Sequence, residues 1–197
     1  SCHINEYLPF PLKQLFPYLK KDLYLDTRGM EGVHEFSTLL KNNPPVAQDY
    51  PSKMDDTAVM IYTGGTTGIS KGVELTHRNL TSNCQQACAW TTGVMDDKET
   101  VLGCLPFFHS YGLTAAMNMS IYYGWTNVLI PKPEALAILK AVEKYRVTFI
   151  PGVPTLFNAM INHPQTGKFN LKSVKACLSA AAPLPLEIIK GFQAVTG

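Results

Sequence analysis

The pattern of apolar and polar positions is irregular in the first part of the chain and regular in the rest. Over the first 55 residues, aromatic, proline and lysine residues mix without a sustained helical or strand period, which predicts an irregular arm with short helical pieces. Pro9, Pro11 and Pro17 are expected to interrupt any long amphipathic helix in this arm. From residue 56 the patterns become regular. We therefore divide the chain into an arm, 1–55, and an α/β region, 56–197.

The α/β region begins with two short strands and a helix. Residues 57–62 are a β-prone apolar run that ends in glycines, and residues 73–75 alternate as a second strand. Thr76 is placed to cap a helix over residues 77–90. The glycine-rich segment between the two strands is therefore predicted to be a loop held at both ends.

Strand and helix patterns then alternate to the end of the chain, which is typical of a mostly parallel sheet with flanking helices. The predicted elements are a strand at 127–130, a helix at 134–145, a strand at 147–150, a helix at 154–161, a strand at 174–179 and a helix that starts near Pro185 as a first-turn proline. The apolar stripes predicted to face inward are Ala135, Ile138, Leu139, Val142 and Tyr145 in one helix and Ile188, Ile189, Phe192 and Val195 in the last.

Composition and charge narrow the class of protein. Hydrophobic residues make up 46% of the chain and charged residues 16%, which predicts a folded core. The net charge of +2, spread over scattered lysines, gives no electrostatic footprint for nucleic acid. The five cysteines fit neither a disulfide framework nor a zinc pattern, and Cys84 and Cys88 are interpreted as buried apolar residues. The cysteine pattern predicts a reducing cytoplasm, and no apolar run approaches the roughly 20 residues that span a bilayer, which predicts a soluble chain.

The segment from Tyr62 to Gly72 carries the first chemical signal. It holds four glycines, three threonines, one serine and a lysine, and such a loop can turn backbone N–H groups, hydroxyls and a cation toward phosphate oxygens. A flexible hairpin would also explain the glycines, but it needs neither the threonines nor Lys71. Because Lys71 is followed by glycine and no GxGxxG occurs, Walker A and Rossmann loops are excluded.

Three further motifs follow at predicted strand ends. Residues 105–112 read LPFFHSYG and lead into an apolar segment, residues 151–155 read PGVPT, and residues 178–185 read LSAAAPLP. Taken alone, His109 is more typical of a packed or capping residue, and the second motif is a plain strand-to-helix turn. The carboxyl ends of parallel strands are nevertheless where ligands of open α/β sheets bind.

With these motifs in view, the chain resembles the adenylate-forming superfamily of acyl-CoA synthetases, luciferases and peptide-synthetase adenylation domains. YTGGTTGISKG at 62–72 is similar to the signature loop YTSGTTGxPKG, with a glycine in place of the loop serine and Ser70 in place of its proline. LPFFHSYG is similar to LPxxHxxG, and LSAAAPL is similar to the adenine-side SGGAPL turn, with Ala180 and Ala181 in place of two glycines. The order of the motifs matches over 56–197, and the arm resembles long-chain fatty-acid ligases.

The resemblance implies an α/β fold and a two-step reaction. A fatty carboxylate attacks ATP to give an acyl-adenylate and pyrophosphate, and the CoA thiol then displaces AMP. Implied cofactors and partners are ATP, Mg²⁺, CoA and a fatty acid, and His109 would position the carboxylate. The other implied site residues are Thr63, Gly64, Gly65, Thr66, Thr67, Gly68 and Lys71 for the ATP phosphates, Thr63 also for the metal, Ala180, Ala181, Ala182 and Pro183 beside adenine, and Tyr111, Gly112 and Gly152 in the acyl pocket.

The resemblance also implies that the chain is part of a longer protein. A magnesium-binding glutamate, a ribose-binding aspartate and a C-terminal domain with the adenylation lysine would follow residue 197, so we expect the isolated chain to be inactive and to bind ATP weakly. A non-catalytic phosphate-binding module and a phosphotransferase remain as alternatives. A peripheral membrane contact and a second copy of the chain remain open as partners.

Overall fold

A computed structural model describes residues 3–27, 29–43, 51–63, 70–91 and 98–197. The chain divides into two compact units, Ser1–Pro51 and Ser52–Gly197, and each is treated by itself below. Five of the predicted phosphate-binding residues lie outside the described residues: Gly64, Gly65, Thr66, Thr67 and Gly68.

The first unit contains short helices, as its irregular pattern predicts. Two α-helices, α1 (Leu12–Leu19) and α2 (Phe36–Asn42), are accompanied by 3-10 turns at Ile4–Tyr7 and Lys21–Leu23. No long helix forms in the described part of this unit, as the prolines predict: α1 is only eight residues long, and Pro17 lies inside it. A proline removes the bond to the carbonyl four residues earlier, and that carbonyl, on Lys13, accepts from the Asn5 side-chain amide at 3.5 Å.

The second unit opens with an antiparallel pair of strands, β1 (Thr57–Thr63) and β2 (Lys71–Thr76), which confirms that two strands flank the glycine-rich loop. The helix α3 (His77–Trp90) follows directly. The Thr76 hydroxyl accepts from the Asn79 N–H at 3.2 Å, and the Asn79 side chain accepts from the Thr76 N–H at 3.0 Å. This reciprocal capping box confirms the predicted helix start.

A four-stranded parallel sheet forms the centre of the second unit, which confirms the predicted fold class. Its strands are β3 (Thr100–Gly103), β4 (Thr126–Leu129), β5 (Phe149–Gly152) and β6 (Ala176–Ser179), in the order β4-β3-β5-β6. The strand predicted at 147–150 starts later, because its first residues end the preceding helix: Arg146 adopts a left-handed φ of 51°, and the Val147 N–H donates to the Val142 carbonyl.

Helices cover both faces of this sheet. The remaining helical elements are a π-helical segment (Gly112–Asn118) that continues into α4 (Met119–Tyr123), then α5 (Ala135–Tyr145), α6 (Pro154–Ile161), a 3-10 turn (Thr166–Lys168) and α7 (Leu186–Thr196). Leu102 and Ile150 pack with α5, α6 and α7, whereas Val101 and Phe149 pack with Cys84 and Met119 on the other face. This alternation along β3 and β5 follows from the two-residue period of a strand.

Several details of the predicted helix faces change in the structure. Tyr145 is 49% exposed at the end of α5, with the Lys144 amine 4.8 Å from its ring centre, and Ala141 is buried in the stripe instead. Pro185 caps α7 from outside with an extended ψ of 143°, rather than occupying its first turn. On α7, Phe192 is buried, but Ile189 is 36% exposed.

The cysteines of α3 behave as the sequence predicts. Cys84 is 2% exposed, and Cys88 packs against the same cluster. Burial raises the pKa of both thiols, which keeps them protonated and unreactive at neutral pH. None of the helices in the described ranges combines the length and hydrophobicity that crossing a bilayer requires.

Candidate active site

Three of the sequence motifs meet at the carboxyl ends of the parallel strands. The LPFFHSYG motif follows β3, the PGVPT motif includes the end of β5, and the turn from Ala180 to Pro183 follows β6. Since β3, β5 and β6 are consecutive in the sheet and parallel, their carboxyl ends share one edge. This is the edge at which open α/β sheets bind ligands.

His109 is exposed at this edge, just before the helical segment begins. Its Nδ1 accepts a hydrogen bond from the Tyr111 N–H at 3.2 Å. The neutral ring therefore carries its proton on Nε2, because a nitrogen that accepts a hydrogen bond from an N–H is not itself protonated. His109 thus caps the first helical turn with one nitrogen and presents a donor with the other.

Tyr111 connects the three motifs through its hydroxyl. The hydroxyl oxygen lies 2.5 Å from the Leu178 carbonyl oxygen and 3.2 Å from the Gly152 carbonyl oxygen. The Gly152 carbonyl also accepts from the Ala180 N–H at 3.2 Å. Burial raises the pKa of Tyr111 to about 12, so the hydroxyl keeps the proton that it donates.

The two predicted pocket glycines are buried for packing reasons. A Cβ on Gly112 would lie 2.2 Å from the Pro106 carbonyl oxygen, and a Cβ on Gly152 would lie 2.8 Å from the Phe157 ring. Glycine at these positions lets the helical segment and the strand end approach their neighbours closely. Their contact with an acyl chain stays a prediction.

We predict that Gly112→Ala lowers the free energy of unfolding by about 1–3 kcal/mol, because the new methyl group meets a backbone carbonyl that cannot rotate away. Urea unfolding followed by circular dichroism measures the change. Gly167→Ala is the matched control, since no atom lies within 4 Å of the Cβ that it adds. Equal stabilities for the two variants would contradict the close packing of Gly112.

The turn from Ala180 to Pro183 contains a strained residue. Ala181 has φ = 71°, in the left-handed region that favours glycine. The sequence carried a signal for this feature, because alanine stands at 181 where the resembling motif has glycine. Ala180 is half-buried, and Ala181, Ala182 and Pro183 are exposed.

We predict that Ala181→Gly raises the free energy of unfolding by about 0.5–1 kcal/mol, since relief of a left-handed alanine outweighs the added entropy of the unfolded chain. Thermal or urea unfolding measures this gain. Ala182→Gly, at a neighbouring position outside the left-handed region, should lower the stability by about 0.5 kcal/mol. A loss for both variants would contradict the strain.

The phosphate-binding prediction is only partly within the described residues. Thr63 and Lys71 are register partners in the last pair of the β1–β2 ladder, and Lys71 is exposed. Tyr62 packs over Gly72, where a Cβ would lie 3.3 Å from its ring. The described residues contain no group of three or more His, Cys, Asp or Glu side chains arranged to hold a metal ion.

Asn127 fixes the helical segment after His109, and the sequence analysis did not single it out. Its side-chain amide donates to the Ala116 carbonyl at 2.7 Å and lies 3.2 Å from the Ser120 hydroxyl. A π-helical turn leaves carbonyls that need other donors, and such turns are frequent at functional sites. A polar residue inside an otherwise apolar strand was the available signal.

Comparisons with known proteins identify the family. Residues 15–197 match the family described as AMP-binding enzyme, and the chain therefore belongs to this family of adenylate-forming enzymes. It is 41% identical to a long-chain-fatty-acid--CoA ligase of Bacillus subtilis, over 98% of this chain and 35% of the relative. It is 33% identical to a probable 4-coumarate--CoA ligase of Dictyostelium discoideum, over 94% of this chain and 36% of that relative.

Solved structures match the same region. The N-terminal domain of FACL13 from Mycobacterium tuberculosis has a TM-score of 0.69 at 26% identity, over 80% of this chain and 39% of that one. ATP-bound MatB from Rhodopseudomonas palustris has a TM-score of 0.65 at 30% identity, over 74% of this chain and 28% of that one. The resemblance to the adenylate-forming superfamily and the predicted fold class are confirmed. The chain spans roughly a third of the length of these curated relatives, 35% and 36%.

Proposed function

We propose that the chain is part of a long-chain fatty-acid–CoA ligase and forms part of its ATP and acyl site. The observation that carries the proposal is the Tyr111 contact, which joins the His109 segment to the ends of β5 and β6 at the ligand-binding edge. The 41% identity to a long-chain fatty-acid ligase supports the acyl substrate class. The proposed reaction forms an acyl-adenylate and pyrophosphate from ATP, and then a CoA thioester with release of AMP.

The proposed roles follow the chemistry of each group. The Nε2–H of His109 donates to the fatty carboxylate and orients it toward the α-phosphate, while the Tyr111 ring, Gly112 and Gly152 border the acyl chain. Lys71 offsets phosphate charge, the loop threonines donate hydrogen bonds to phosphate oxygens, and the 180–183 turn lies beside adenine. Such a site accelerates the reaction mainly by positioning the reactants and stabilising developing charge.

Magnesium belongs to the proposal as a partner of the ATP phosphates. Protein sites usually hold this ion through one or two carboxylates together with substrate phosphates. The described residues contain no cluster of His, Cys, Asp or Glu side chains that could hold the ion by itself. Thr63 stays the proposed contact in this chain, and CoA stays the proposed second substrate.

Pyrophosphate release by the full-length protein tests the function. ATP is supplied with palmitate, with 4-coumarate or with no acid, and CoA is added afterwards to detect thioester. Release that depends on palmitate supports the proposal. Release that depends on 4-coumarate favours an aryl-acid ligase, the substrate class named for the Dictyostelium relative. ATP hydrolysis without acid favours a phosphotransferase, and no turnover favours a binding module.

The same assay on the 197-residue chain tests its expected inactivity. We propose that the chain alone binds ATP weakly and forms no acyl-adenylate, because the resemblance assigns further essential residues to a later part of the protein. Efficient palmitate-dependent pyrophosphate release by the chain alone would contradict this expectation.

A further inference from the structure

The Tyr111 hydroxyl lies at the carboxyl ends of two neighbouring strands, β5 and β6. In the β5–β6 ladder, Pro151 pairs with Leu178 and Gly152 pairs with Ser179. The hydroxyl reaches one carbonyl on each strand, Leu178 on β6 and Gly152 on β5. These partners are 67 and 41 residues away in the sequence, so one side chain crosses the strand ends from the segment after β3.

Both carbonyls are close to the adenine-side turn, 180–183, one through the chain and one through a hydrogen bond. Leu178 immediately precedes Ser179, after which the turn begins, and the Gly152 carbonyl receives the Ala180 N–H as well as the Tyr111 hydroxyl. The next residue, Ala181, is held in the left-handed region at φ = 71°. A strained residue persists where surrounding contacts over-determine the backbone. The Tyr111 hydroxyl acts on this backbone indirectly, through the Leu178 carbonyl and through the Gly152 carbonyl that also accepts from the Ala180 N–H.

The hydroxyl and the ring of Tyr111 have separable tasks. Both neighbouring groups are carbonyl oxygens, which can only accept, so the hydroxyl acts as the donor. Its oxygen is therefore committed to the backbone of β5 and β6, and the ring is the part available to border a substrate. Phenylalanine would keep the ring and remove only the donor.

We propose that Tyr111 is a positioning residue for the nucleotide, whose hydroxyl sets the 180–183 turn against the end of β5. This role rests on the proposed ligase function. It adds to that function, because the ring of Tyr111 is assigned to the acyl pocket while its hydroxyl positions the turn proposed to bind adenine. The turn that binds adenine is thereby tied to the segment that carries His109.

The test is Tyr111→Phe in the full-length protein, with KM measured separately for ATP and for palmitate. Loss of a hydrogen bond worth roughly 0.5–1.5 kcal/mol predicts an increase in the KM for ATP of about 2- to 10-fold. The KM for palmitate should stay within about 2-fold, since the ring is retained. Tyr122→Phe is the matched control. Tyr122 lies on α4, and its hydroxyl accepts from the Gln85 side chain at 2.7 Å. Its loss should leave the KM for ATP and the KM for palmitate unchanged.

An increase confined to the KM for palmitate, equal increases in both constants, or no change in either would overturn the proposal. Amide hydrogen exchange separates it from the ligase assignment, because exchange needs no turnover. The Ala180 N–H is expected to exchange at least about 3-fold faster in Tyr111→Phe than in the parent protein. An unchanged exchange rate overturns the positioning role, whether or not the protein is active. Inactivity of the full-length protein toward every acid contradicts the proposed function instead.

Discussion

Replacing Lys175 with methionine is expected to lower the free energy of unfolding by about 3–5 kcal/mol, because it leaves the buried Glu99 carboxylate without its lysine. The Lys175 amine lies 2.9 Å from Glu99 Oε1, and the Glu99 side chain is 0% exposed. The pair joins the segment before β3 to the segment before β6, across β5. Chemical unfolding monitored by circular dichroism measures the loss.

An exposed ion pair provides the control for this substitution. Lys132 and Glu134 also lie 2.9 Å apart, but their side chains are 86% and 64% exposed. Lys132→Met should therefore leave the stability nearly unchanged. The double variant Glu99→Gln with Lys175→Met removes the carboxylate charge together with the amine and should recover part of the loss. If Lys175→Met costs no more than Lys132→Met, the Glu99–Lys175 pair does not stabilise the sheet.

Replacing His109 with asparagine is expected to reduce kcat for palmitate-dependent adenylation about 10²-fold in the full-length protein, while leaving stability nearly unchanged. The asparagine oxygen can replace Nδ1 as the acceptor for the Tyr111 N–H, so the cap is kept. The Nε2–H donor is lost, and removal of one charge-stabilising donor costs on the order of 10²-fold in rate. Steady-state pyrophosphate release measures the effect.

His163 is a matched control because it makes the same local contact elsewhere. Its Nδ1 accepts from the Gln165 N–H at 3.2 Å, after the end of α6 rather than at the carboxyl ends of the strands. His163→Asn should keep kcat within about 2-fold. If His109→Asn retains full activity, or loses it only together with the fold, then His109 is a helix cap and does not position the carboxylate.

The predictable part of the fold rests on local interactions. The Thr76 cap and the bounds of α6 at Pro154–Ile161 agree with the sequence patterns, because capping and a first-turn proline involve residues within one helical turn. The parallel sheet was predictable as well, since alternating strands and helices leave few other arrangements. Errors occurred at element ends, where Tyr145 emerges from the apolar stripe and Pro185 stands outside its helix.

In the candidate site, too, some features were predictable from the sequence and others were not. Motif order identified the residues at the strand ends, and the alanine at 181 signalled a position that the resembling motif gives to glycine. Periodicity and motif spacing could not indicate that the Tyr111 hydroxyl would reach Leu178, 67 residues away, or that Lys175 would reach Glu99 over 76 residues. Such pairs depend on the order of strands in the sheet.

By itself, the sequence determined the elements, the parallel architecture and the types of residue available for phosphate and carboxylate chemistry, because propensity, periodicity and caps act between neighbours along the chain. Only the tertiary structure decided which carbonyls Tyr111 holds and that Lys175 pairs with Glu99. These features depend on distances between distant segments, and those distances exist only once the strands are ordered side by side.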